Sequence, residues 1–275
     1  MQGIKSILLH VDATPASVAR LEMTRHLAAR HDARITALYG AETDLDSASF
    51  SYSAGALLAQ LDEREEWPQV EARRRLQLGA DTKGPQVDWF DVVGDSITHG
   101  FLEEAAYADL VVVGQTMREP TAGSAPAGFA ESMILDSGRP TLVLPGVPRS
   151  ASIGRRIVVA WDGSVPAARA VTGSLPFLHQ ADEVHVVSWS DRPRAGPFSR
   201  VDIGRYLRGH HIAATLHLRP ATARVAEELV LLATSLDADL VVMGCYGHSR
   251  TRERIFGGAS RGALAEMPAP LLMAH

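Results

Sequence analysis

One cysteine, Cys245, is the whole thiol content of 275 residues, so no internal disulfide can form. A lone thiol fits a reducing cytosol, although other compartments tolerate one too. Long apolar runs are also missing: nothing approaches the ~18 uninterrupted apolar residues expected of a membrane span. The opening Met1–His10 is too short in its apolar part, and too soon followed by Asp12, to read as a secretory leader. No Lys/Arg-rich run occurs and the formal net charge is -5, which removes the electrostatic reason to expect nucleic acid. There is no Gly-x-x-x-x-Gly-Lys-Ser/Thr, so a P-loop kinase or ATPase is not expected. Eleven histidines are present without ligand spacing. His210 and His211 are adjacent and would face opposite ways on a strand, and His26 and His31 are poorly placed for one helical face, so zinc is not expected. These absences describe a cytoplasmic protein without membrane or nucleic-acid contacts.

A hydrophobic content of 46% and a charged content of 21% are ordinary for a globular chain, and the length suggests about two domains. The sequence repeats itself. Ser6–Asp12 and Ile157–Asp162 are both apolar, β-rich runs ending in Asp, each followed by a proline (Pro15, Pro166) and an Ala-rich helical pattern. Ala108–Gly114 returns as Ala238–Gly244, and Pro140 returns as Pro270 at the same offset, with no gap between. The opening aspartates are spaced wider, so the first half carries extra residues, placed at 41–79 and read as a surface loop with a longer helix. Turn formers at Pro145–Gly154 mark the boundary, giving domains at 1–146 and 154–275.

In the second half, strands are expected near Arg155–Trp161, Glu183–Ser188, His211–His217, Asp239–Met243 and Pro270–Ala274. Helical patterns fill Val165–Leu178, Ala221–Ser235 and Gly258–Glu266, with a shorter one around Val201–Arg208. Short, poorly alternating Val/Ile/Leu strands suit a parallel sheet covered on both faces. Right-handed crossovers then give a doubly wound, Rossmann-like α/β unit whose ligand lies at the carboxyl ends of the strands. There, Gly244, Gly247, Gly257 and Gly258 surround a loop with little side-chain obstruction that leads into a helix. Free N–H groups at such a helix start accept phosphate.

These residues resemble the tandem, two-domain form of the universal stress protein family. The family motif is Gly, two residues, Gly, nine residues, then Gly-Ser or Gly-Thr, and Gly244, Gly247 and Gly257 keep that spacing. Val159-Ala160-Trp161-Asp162 is similar to the family's first strand with its nucleotide-contacting Asp. The resemblance implies a five-stranded parallel sheet per domain in the order 3-2-1-4-5, halves packed as a pseudo-dimer, and an ATP cleft with or without Mg²⁺. It implies a site made of Ala160, Asp162, Val187, Met243, Gly244, Gly247, His248, Gly257, Gly258, Ala259 and Ser260. Gly258 departs from the motif, because Ser or Thr belongs there. A lost hydrogen bond to a charged partner is worth ~1.5–3 kcal/mol, so nucleotide binding is expected to be weakened, with Ser260 a partial substitute. In the first half, Met117, Ala127 and Ala130 stand where Gly247, Gly257 and Ser260 stand in the second. Asp12 survives but the cradle does not, which predicts a structural pseudo-site.

Each candidate also has a plainer role. Asp162 could cap the helix starting at Val165, and Val187 and Met243 would look the same as ordinary core or as an adenine-packing surface. His248 could donate to phosphate or sit exposed in its loop. Gly258-Ala-Ser260-Arg-Gly262 matches a nucleophile elbow, but no strand runs into it and no Asp follows, so hydrolase chemistry is not expected. Gly94-Asp-Ser96 sits where a helix cap belongs. The expectation is therefore an adenine-nucleotide-binding stress-response regulator that acts by binding rather than turnover. Occupancy would order the Gly247–Gly257 loop and so alter the surface met by an unidentified protein partner. A slow ATPase, a nucleotide-free scaffold with both sites vestigial, and a homodimer of tandem chains stay open.

Overall fold

Ten strands form one continuous sheet, in the order β3-β2-β1-β4-β5-β10-β9-β6-β7-β8. The structure, a computed structural model, describes residues 3–40, 84–92, 96–115, 123–147, 149–150, 152–189, 202–245 and 258–275. The 41–79 insertion and the Gly247–Gly257 loop lie outside the described residues. In the first half, β1 is Ser6–Val11, α1 Ala16–His31, β2 Arg34–Tyr39, β3 Val87–Asp91, α2 Ile97–Ala105, β4 Leu110–Gly114, α3 Phe129–Asp136 and β5 Thr141–Leu144. In the second, β6 is Arg156–Ala160, α4 Val165–Leu178, β7 Glu183–Trp189, α5 Ile203–Gly209, β8 Thr215–Arg219, α6 Val225–Ser235, β9 Leu240–Gly244, α7 Gly258–Glu266 and β10 Leu271–Ala274. Each half is parallel with its strands ordered 3-2-1-4-5, as the family resemblance implied. Antiparallel pairing of β5 with β10 joins the halves, with Leu272 opposite Leu142.

Two apolar layers cover the sheet, and each runs through both halves. One contains Ile7, Leu9, Ile35, Ile157, Val159 and Phe177; the other contains Leu8, Phe101, Phe129, Val158, Val187 and Met243. Successive strand residues alternate between the layers, so the Val-rich runs are buried on both faces, which explains their weak alternation. Across the junction, Arg30 donates to the carbonyls of Ile153 (2.7 Å) and Gln180 (2.9 Å), and Gln115 donates to Leu264 O (2.7 Å).

The repeated Ala-Asp-Leu has a physical role. The Asp239 carboxylate accepts from the N–H groups of Gly154 (3.1 Å), Arg155 (2.8 Å) and Arg156 (2.8 Å) and from the Ser152 hydroxyl (2.8 Å). Asp109 does the same for Lys5 N (2.8 Å) and Ser6 N (3.0 Å). One acid before each fourth strand thus pins the entry of each first strand.

Two boundaries differ from expectation. β8 begins at Thr215, not His211. His211 takes φ 59° just past α5; its N–H returns to Arg208 O and that of Ile212 to Leu207 O. That pattern is a Schellman cap with Ile212 buried behind it, so an apolar stretch that reads as strand is instead the end of a helix. α6 begins at Val225 rather than Ala221, behind a turn in which Thr222 Oγ1 accepts from Arg224 N. α2, in contrast, has the expected cap: Ser96 Oγ accepts from His99 N at 3.3 Å.

Candidate functional site

The switch point of each half lies where its first strand separates from the second and fourth. In the second half, Ala160 at the end of β6 is in register with Val187 of β7 and Met243 of β9. Paired residues of parallel strands project to the same face, so these three form one row at the carboxyl edge. They join the layer that α6 and α7 cover. The row thus stands on the side of the sheet that carries the amino end of α7, where Gly258, Ala259 and Ser260 begin the helix; Ala259 is half-buried and Ser260 buried. A helix start presents N–H groups without intrahelical acceptors, and its dipole favours an anion.

Asp162 lies just beyond β6 and is exposed. Its Oδ1 accepts from Ser164 N (2.9 Å), while Ser164 itself caps α4 by accepting from Ala167 N (3.2 Å). The capping role considered for Asp162 therefore belongs to Ser164. The mouth is held by further bonds: Trp161 N donates to Val187 O (2.8 Å), Ser188 Oγ to Trp161 O (2.7 Å), and the Trp189 indole to Glu228 of α6 (2.7 Å). Gly244 is needed for packing. A Cβ there would collide with the backbone of Pro166 and Ala167, so the absent side chain admits the first turn of α4. Gly247, His248 and Gly257 lie outside the described residues; of the others, Ala160, Val187 and Met243 stand in register, Gly244 ends β9, Asp162 follows β6, and Gly258, Ala259 and Ser260 begin α7.

The equivalent crevice in the first half is filled from within. Asp12 is 4% exposed and Arg20, reaching from α1, is 5% exposed. The Arg20 guanidinium donates to His10 O (2.8 Å), to His10 Nδ1 (2.9 Å) and to Asp12 Oδ2 (3.5 Å), and lies so close to Gly114 that a Cβ there would collide with it. Asp12 Oδ1 also accepts from Ser17 Oγ (2.7 Å) and Thr14 N (3.0 Å). Arginine only donates, so His10 Nδ1 is the acceptor and its Nε2 carries the proton given to Gly40 O at 2.8 Å. Burial, reinforced by the Arg20 charge, pushes the His10 imidazole down to about 4 against the opposing pull of Asp12 and the Gly40 carbonyl, so it is neutral at pH 7. Burial opposes the charge on Asp12, but Arg20, His10 and the Thr14 and Ser17 hydroxyls together outweigh it and hold the carboxyl below its usual range. Gly123 then closes over the turn by accepting from Ala13 N (2.9 Å). At the offset of the two aspartates, Arg20 corresponds to Ala170, His10 to Ala160 and Ser17 to Ala167. Sequence inspection passed over Arg20; the available signal was a cation among the buried Ser17, Leu21 and Thr24 of one helical face.

Elsewhere, an open hollow of about 390 Å³ lined by Asp32, Arg34, Gln86 and Asp88 lies at the amino ends of β2 and β3, the end of the sheet away from the switch point. Among the described residues no three His, Cys, Asp or Glu side chains form a metal cluster, and no helix is long and apolar enough to cross a membrane.

Fold and crevice define a duplicated, doubly wound α/β protein with one crevice lined by small and apolar side chains and its twin filled by charge. The universal stress protein family profile matches residues 3–145 and 154–275, and the chain belongs to that family. Among solved structures it is similar to a universal stress protein from Archaeoglobus fulgidus, with 15% identity, TM-score 0.71, and 98% of this chain and 95% of that one covered. It is also similar to a functionally unknown protein from Pseudomonas aeruginosa, with 16% identity, TM-score 0.59, and 98% and 92% covered. No curated protein matches the sequence. At these identities the structural likeness speaks for the fold.

Proposed function

We propose that the second half binds one adenine nucleotide, ATP, and that this cytosolic protein serves the stress response by binding rather than by turnover. One observation carries the reading: Ala160, Val187 and Met243 stand in one row on the side of the sheet that carries the amino end of α7, with the exposed Asp162 at the mouth, while the matching crevice of the first half holds a guanidinium. The apolar row suits the flat face of a base, Asp162 suits hydroxyl donors of a ribose, and the N–H groups of Gly258, Ala259 and Ser260 suit phosphate oxygens. Gly244, Gly247, His248 and Gly257 complete the proposed set. Mg²⁺ would accompany the phosphates, which themselves supply oxygen ligands.

Asp162 is the one acid in this set, and it is committed to the nucleoside end and to Ser164 N. That leaves no general base among the described residues proposed to meet the phosphates, which favours binding over hydrolysis. Mass spectrometry of ligand released from purified protein, followed by titration with ATP, ADP and AMP, tests the proposal. Bound adenine nucleotide supports it; an empty protein that ignores all three supports a scaffold. Restoring the family hydroxyl with Gly258→Ser should tighten ATP by ~1.5 kcal/mol, about tenfold. Weaker binding by that variant would contradict the phosphate contact.

A further inference from the structure

Two histidines that are distant in sequence meet at the far edge of the second half. His185 of β7 and His217 of β8 lie on one face of neighbouring strands, because Val187 is in register with His217 and His185 is two residues before Val187. His185 Nδ1 stands 3.1 Å from His217 Nε2. Only one proton fits between two ring nitrogens at that distance. Glu183 Oε2 lies 3.4 Å from His185 Nε2. A carboxylate there accepts a hydrogen bond from Nε2–H, the tautomer that leaves Nδ1 of His185 with a bare lone pair. A carboxylate behind an imidazole is the support that metal-ligating histidines usually have.

From this geometry we infer that His185 and His217 form a two-imidazole site for a borderline divalent ion of the zinc, copper or nickel class. Metal–nitrogen bonds of about 2.05 Å across a 3.1 Å gap subtend roughly 100°, between the square-planar and tetrahedral angles. Water completes the coordination, since His217 lies on the edge strand β8 and neither ring is fully buried. When an ion enters, the proton shared between the rings moves to Nδ1 of His217, so both rings stay neutral and each offers one lone pair. Arg219, two residues along the same face, opposes a cation and Glu183 favours one. His217 flanks the outer end of the row that Val187 shares with Ala160 and Met243, but neither imidazole belongs to the set proposed for the nucleotide.

Titration of the full chain with Cu²⁺, followed by electron paramagnetic resonance, tests the inference. One equivalent should bind with the hyperfine pattern of two imidazole nitrogens. His217→Gln should weaken it at least tenfold, and Glu183→Gln by about tenfold with both nitrogens retained. Isotherms that coincide for the wild type and His217→Gln would overturn the site. A Ni²⁺-soaked crystal of the unaltered chain gives an independent check. Anomalous density about 2.1 Å from both nitrogens is expected, and density elsewhere or none overturns the site.

Discussion

Asp12 and Asp162 follow matching strands and precede matching helices, yet one is 4% exposed and the other lies open. The difference is made by partners that sequence inspection did not connect. Arg20 is eight residues from Asp12 on another element, and the pattern of α1 gives no sign that the guanidinium folds back over β1 and β4. A buried pair that loses one member leaves an uncompensated charge, so Arg20→Met should destabilise the chain by about 3–5 kcal/mol. The double variant Asp12→Asn/Arg20→Met should cost less than the sum of the single changes, as measured by denaturant unfolding. His10 adds a pH dependence. Its folded value is about 4 against an ordinary 6.5, so between those limits the unfolded chain takes up a proton that the folded chain refuses. The contribution is complete above pH 6.5 and falls by on the order of 3 kcal/mol as pH drops towards 4. Asp12, held below its usual range, adds a further loss in stronger acid. Thermal melts of wild type and His10→Asn across this range should converge as pH falls; parallel curves would rule out His10 as the source.

Helices and strands were mostly legible, and the misses share a cause. α4 and α7 fall where their patterns placed them because caps and periodicity agree there: Ser164 and Pro166 start α4 at Val165. The start of β8 was misplaced because Ile212 looks like a strand residue, whereas a left-handed His211 turns it back onto α5. A residue with φ near +60° is strained unless it is glycine, so His211→Gly should stabilise the protein by about 0.5–1 kcal/mol in chemical denaturation. A loss of stability would mean that the His211 side chain matters more than its backbone. Asp239 belongs to this scale too, since four donors converge on it to join β9 to β6. Asp239→Asn removes the charge that these donors share and should cost about 1.5–3 kcal/mol. Gly244 shows the limit of motif reading. Its spacing suggests a ligand contact, but the helix packed on it already requires glycine.

At the scale of the molecule, the repeat made the two sheets predictable but not their fusion into one. β5 and β10 are short apolar runs, and nothing in their composition says that their free edges face each other. Antiparallel pairing there buries Leu142, Val143, Leu271 and Leu272 together and lets both apolar layers run through the chain. Residues 154–275 expressed alone would expose β10, and an open apolar edge seeks another strand. That fragment should sediment as a dimer joined through β10, whereas a monomer would show that the halves need no edge partner. The spacing of Gly244, Gly247 and Gly257 is plain in the sequence, while the plug in the first half required three dimensions, because its members come from β1, α1 and the end of β4. If the second half binds nucleotide as proposed, the halves divide the labour, one kept for ligand and the other for structure. Calorimetric titration of the intact chain with ATP tests this most directly. One nucleotide per chain is predicted, lost in Gly247→Met, which copies the first half. Two per chain, or undiminished binding by that variant, would contradict it.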